Sequence, residues 1–149
     1  MNRIVLIVLL LLIAVFAVCV TVQQFACREN LTPSIIPGRN SYSRALSSVP
    51  GLPLSPDPGS LSACPYRYRW LASDGLFLLW DAQDFTVHEM GRTVETDNRT
   101  VYWTWYDDGL PISGRDVTIT LEVLDPRGFV VLGRADQTIG WDGVLAVVK

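Results

Sequence analysis

His88 is the only histidine in 149 residues, so any Ser-His-Asp relay would have to run through it. It sits in Thr86-Val87-His88-Glu89, and no G-x-S-x-G sequence supplies a nucleophile elbow. That context predicts a surface histidine near a strand end. Zinc fares no better, because one histidine and the two cysteines outside the N-terminal hydrophobic run make no closely spaced ligand pairs. Asp107, Asp108, Asp116, Asp125, Asp136 and Asp142 fall in predicted turns. Calcium favours clustered loop carboxylates, but the spacing is not that of an EF-hand, and Asp is a common turn residue for its own backbone hydrogen bonds. The expectation is no catalytic residue, no cofactor and no metal, and hence no enzyme.

Two other residue types remain. Cys27 and Cys64 bracket a proline-rich stretch. In an oxidising compartment they can bridge to each other, pair with other chains, or stay free, and spacing alone does not choose. Aromatic residues are dense: Tyr66, Tyr68, Trp70, Trp80, Tyr102, Trp103, Trp105, Tyr106 and Trp141. Trp103 and Trp105 alternate with Thr and Tyr, which predicts that they fill a core. Tyr102, Tyr106 and Trp141 are then the candidates for a contact surface, by packing on a protein or stacking on a glycan. Asn30-Leu31-Thr32 and Asn98-Arg99-Thr100 have the form of N-glycosylation acceptors.

The elements that must position these residues fall into three stretches. Residues 1–22 carry an uninterrupted apolar run from Ile4 to Val20, extended past Thr21 to Val22. A helix over 4–22 would span roughly 28 Å, matching a bilayer core. This predicts an uncleaved transmembrane helix, with a cleaved signal sequence and a secreted product as the alternative. Arg3 keeps the short N-terminus inside and sends the remainder outside the cytoplasm, periplasmic or extracellular. Residues 23–65 hold seven of the nine prolines and many serines, which predicts an extended Pro/Ser-rich stalk with a short turn near Tyr42–Leu46; the alternative is a loop that packs back on the domain through the apolar Ile35, Ile36 and Leu52. Residues 66–149 alternate as β-strands separated by turn signals: Tyr66–Trp70, Leu76–Trp80, Phe85–His88, Thr100–Tyr106, Val117–Val123, Phe129–Leu132 and Val144–Val148. The fold class is all-β, a small antiparallel β-sandwich. Beyond residue 22, eleven scattered basic residues face fifteen acidic ones, which disfavours nucleic acid as a partner.

Asp108-Gly109-Leu110-Pro111-Ile112-Ser113-Gly114 precedes the strand Val117–Val123, then come Asp125-Pro126-Arg127-Gly128, Thr138 and Asp142-Gly143. Residues 107–148 thereby resemble the bacterial immunoglobulin-like modules of invasins and the related macroglobulin-type and carboxypeptidase-regulatory-like sandwiches. The resemblance implies an Ig-like extracytoplasmic spacer, adhesive or interaction domain without chemistry of its own. The sequence therefore points first to a module tethered to the membrane through residues 4–22, with an envelope or surface protein as partner. A carbohydrate- or ligand-binding sandwich is the second reading, and a viral surface glycoprotein the third.

Overall fold

A computed structural model of the chain describes residues 7–16, 27, 30–59, 64–81, 83–105, 115–142 and 144–149. Within these, eleven strands form two antiparallel sheets. They are β1 (Ser34–Pro37), β2 (Ser41–Tyr42), β3 (Leu52–Asp57), β4 (Arg67–Ala72), β5 (Leu76–Asp81) and β6 (Thr86–Gly91), followed by β7 (Thr93–Thr96), β8 (Val101–Thr104), β9 (Arg115–Leu124), β10 (Val131–Trp141) and β11 (Ala146–Val148). One sheet has the order β1-β3-β8-β5-β6 and the other β2-β11-β10-β9-β4-β7. Leu52, Leu54, Phe77, Val101 and Trp103 from the first meet Trp70, Val94, Val117, Ile119, Leu121 and Ile139 from the second in one buried core. The architecture is an all-β sandwich.

In β9, Val117, Ile119, Leu121 and Val123 are all buried, as period-two alternation requires. β10 runs far past the predicted Phe129–Leu132, pairing with β9 from Val131 to Trp141 around a bulge at its start. Its core-facing positions opposite Val123, Leu121 and Ile119 are Gly133, Ala135 and Gln137, so no apolar alternation marks the strand. Gly133 is small for a reason: a Cβ there would lie 2.6 Å from the Leu31 carbonyl oxygen, where the incoming chain crosses β10.

The expected stalk over 23–65 is corrected for residues 34–57, which supply β1, β2 and β3 to both sheets. Ile35, Tyr42, Leu52 and Leu54 are core residues. Staggered pairing lets prolines sit inside β3: β8 covers Leu52–Leu54 and β1 covers Leu54–Asp57. Pro53 and Pro56 therefore each have a strand in register on one side only, where a missing N–H breaks no ladder. The short turn near Tyr42–Leu46 is present, with the Leu46 N–H donating to the Ser43 carbonyl. Cys27 and Cys64 are joined by a disulfide that ties the start of the described domain to the lead-in of β4.

The membrane segment expected over 4–22 lies partly outside the described residues. Residues 7–16 are helical with exposed apolar side chains. Among the described residues no helix is long and apolar enough to cross a membrane.

Trp103 is fully buried, and Trp103→Ala should destabilise the domain by about 3–5 kcal/mol through lost burial and a cavity. Tyr102→Ala, on the opposite face of β8, should cost clearly less; equal losses in chemical denaturation would refute this register. A chain starting at Tyr66 loses four core side chains with β1–β3 and should fail to give a cooperative melt, whereas one starting at Cys27 should melt cooperatively. Reduction of the disulfide should lower stability by about 2–5 kcal/mol, read from the same denaturation curves.

Candidate functional site

The continuous apolar run Leu76–Trp80 is explained by its two faces. Phe77 pairs with Trp103 and points into the core, while Leu76, Leu78 and Trp80 point to the outside of the five-stranded sheet. Leu76 and Leu78 are nevertheless buried. The β2–β3 connection folds over them, with Val49 and Pro50 forming one wall of a groove of about 670 Å³. Its other wall is the β5–β6 hairpin: Trp80, Phe85, Val87 and Glu89. The floor is apolar, and its polar lining includes Tyr42, Ser47, Ser48 and Arg44. Arg44 is held in place, donating to the Trp105 carbonyl at 3.1 Å with its guanidinium 5.9 Å from the Trp105 ring centroid. Burial raises the pKa of the Tyr42 phenol, so it stays protonated across the physiological range.

Phe85 stands at the hairpin turn with φ of 58°, a left-handed conformation that bulky residues rarely adopt. Asp84 enforces it by accepting from both the N–H and the hydroxyl of Thr86. The result is a Phe side chain 77% exposed at the rim of the groove. The Thr86 hydrogen bonds hold the Asp84 carboxyl below the usual carboxylate range.

Of the predicted contact aromatics, Tyr102 is half-buried on the outer face, with its ring 5.6 Å from that of Trp80 at 78° between planes. The pair borders a second depression of about 520 Å³ with Asp81, His88 and Arg99. His88 is exposed on β6. Tyr106 lies outside the described residues. Trp141 is corrected: it is buried at the end of β10, not in a surface turn, with its ring centroid 3.7 Å from that of Trp105. The long β10 carries it inward opposite Arg115, beside Tyr42 and Trp105 where the two sheets close. Edge-to-face Trp80 and Tyr102 do not form a coplanar platform of the kind that stacks flat on a sugar ring.

Among the described residues no group of three or more His, Cys, Asp or Glu side chains is placed to hold a metal. Asp125 and Asp142 act as turn caps, accepting from Phe129 and Val130 and from Val144 and Leu145 respectively. Asp107 and Asp108 lie outside the described residues. Asn30 and Asn98 of the two sequons are both exposed.

No family profile, curated protein or solved structure matches this chain. Nothing in those comparisons identifies an immunoglobulin-like module.

Phe85, Val87, Val49 and Pro50 were not among the predicted contact residues. The one signal for them is Leu76–Trp80 itself, a strand apolar on both faces that therefore needs a second cover. Because the folded pKa of Asp84 is depressed, its contribution to the turn is present at neutral pH and lost as pH falls through that lowered value. The Thr86 amide resonance should titrate with a midpoint below the ordinary carboxylate pKa of about 3.9. A midpoint at or above that value, or an unchanged curve in Asp84→Asn, would show that Asp84 does not hold the turn.

Proposed function

We propose that this chain is a membrane-tethered interaction or assembly module, without catalytic activity, whose β-sandwich stands outside the cytoplasm and contacts another envelope or surface protein. The observation that carries the reading is the β6 edge beside the apolar groove. Sheet edges offer unpaired backbone groups, and proteins usually shield them. β1 ends in Pro37, and β2 is only two residues long. On β7, Glu95 is clamped by Arg67 at 3.3 Å and Arg69 at 3.2 Å. β6 has six residues, no proline and no lysine, and exposes Val87 and Met90. An extended segment of a partner adding to β6 would hydrogen-bond along it while its side chains reach the groove.

The apolar run over 4–22 supports the tether, and the Cys27–Cys64 bridge supports an oxidising compartment. The consecutive β9, Asp125–Gly128 turn, β10 and β11 support an Ig-like relationship for the C-terminal part.

A photo-crosslinking residue at Val87, in the full chain within its native membrane, should form a recurring adduct with one protein. The same residue at Arg134, on the outside of the other sheet, should not. Equal adducts at both positions would remove β6 as the contact. A glycan retained by the parent and released by Tyr102→Ala, with no protein adduct at Val87, would favour the carbohydrate reading instead.

A further inference from the structure

The sandwich has one end where the tether arrives, and that end carries a rigid apolar tip. Cys27 is bonded to Cys64, and the Leu31 N–H donates to the Leu132 carbonyl at 2.8 Å, at the start of β10. Cys64 and Pro65 line one depression together with Pro126 of the β9–β10 turn. Arg67 of β4 is in register with Leu124, the last residue of β9. These contacts place the disulfide and the β9–β10 turn at the same end of the molecule.

That turn exposes Phe129 at 84%, Val130 at 50% and Val131 at 48%. Its backbone is fixed from inside. The buried Asp125 carboxylate accepts from the Phe129 N–H at 2.7 Å and the Val130 N–H at 2.9 Å. The Asp125 N–H in turn donates to the Val130 carbonyl, and Gly128 takes φ of 78° to close the turn. With the loop interior filled by a carboxylate, the Phe129 ring has no apolar pocket to fold into. Exposed Pro126 and Arg127 flank it.

Only residues 23–26 separate Val22 from Cys27. Five fully extended peptide steps reach about 18 Å, so a membrane-spanning segment over 4–22 keeps the disulfide end close to the bilayer. We infer that Phe129, Val130 and Val131 insert into the outer interface of the membrane that holds the tether, with Arg127 at the level of the lipid headgroups. Aromatic and aliphatic tips with an adjacent arginine suit that boundary, because the ring enters the acyl edge while the guanidinium meets phosphate. The inference rests on the proposed tether and adds the orientation of the domain: disulfide end down, β2 and the β10–β11 turn away from the membrane.

The test uses the full chain in nanodiscs of phosphatidylcholine and phosphatidylglycerol, with a photo-crosslinking amino acid at Phe129 or at Val144. Val144 is the control, since it is 68% exposed at the opposite end of β10. Lipid acyl-chain adducts at 129 and none at 144, by mass spectrometry, are the expected result. A chain that enters the nanodisc but gives no acyl adduct at 129, or equal adducts at both positions, overturns the insertion and leaves the tether intact. A chain that does not enter the nanodisc overturns the tether, and the inference with it. Asp125→Ala, which releases the turn, should reduce adducts at 129; unchanged yield would show that the rigid turn is not what presents the ring.

Discussion

The hydrogen bond from the Trp103 indole to the Asp74 carbonyl, 2.9 Å long, is the contact on which the sandwich turns. Trp103 lies in the middle strand of the five-stranded sheet, and Asp74 lies in the turn that carries the chain over from β4 in the other sheet. The bond satisfies the only polar atom of a large buried side chain and pins the crossover to the core. Gly75 completes it: φ is 77°, and a Cβ would stand 2.3 Å from the Thr104 carbonyl oxygen. By contrast, the indole N–H groups of Trp70 and Trp141 are buried and meet no acceptor among the described residues. An unmade buried hydrogen bond costs about 1–3 kcal/mol, so the tryptophans are not equivalent contributors even though all three are interior. Trp103 positions the crossover; the other two fill space.

Legibility in the sequence followed how much each strand depends on its own side chains. β9 was readable because both its faces obey period two, with Val, Ile and Leu inward and Thr and Glu mostly outward. β10 was not, since its core-facing positions opposite β9 are Gly133, Ala135 and Gln137, and Gly133 yields to the incoming Leu31. The first three strands were hidden for a different reason. Proline count argues for a stalk only if every proline breaks a ladder, and staggered pairing in β3 places Pro53 and Pro56 where none is broken. Tyr102 and Trp103 could be assigned to opposite faces from alternation alone. Trp141 could not, because its fate depended on the full length of β10.

The two outer faces of the sandwich are chemically unlike. Across the six-stranded sheet, Arg134, Glu122, Arg69 and Glu95 stand in register on four adjacent strands, alternating in charge. Arg69 bonds Glu95 and Glu122, and these carboxylates, Glu95 foremost, raise its pKa further. Such exposed pairs add little stability each, but they make this face compatible with water as it stands. The five-stranded sheet has no such ladder. Its outside carries Leu76, Leu78, Trp80 and Val87 beside Tyr102, Thr104 and Glu89, with Val49 and Pro50 packed over part of it. A face that is partly sealed by the chain's own loop, and left open along one edge, is the feature on which the proposed contact rests.

The two proposed contacts constrain each other through strand direction. Asp81 pairs with Thr86 at the β5–β6 hairpin, and antiparallel pairing through β8 puts that turn at the disulfide end, with the β9–β10 tip. β6 therefore begins near the proposed bilayer surface and runs away from it toward Gly91, where a bulge near Met90 breaks the ladder. The usable edge is Thr86 to Glu89, the part nearest the proposed bilayer surface. β6 itself has no lysine or arginine opposite which Glu89 of a second copy would fit, and Arg92 just beyond it is paired with Asp74 at 3.0 Å. In a two-fold antiparallel pairing, residues directly opposite share a face, so Glu89 would meet Phe85, Val87 or another Glu89. A foreign segment with a basic residue at that place fits better than a second copy. Under the proposed tether and tip, this geometry favours a partner whose extended segment lies close to the same membrane.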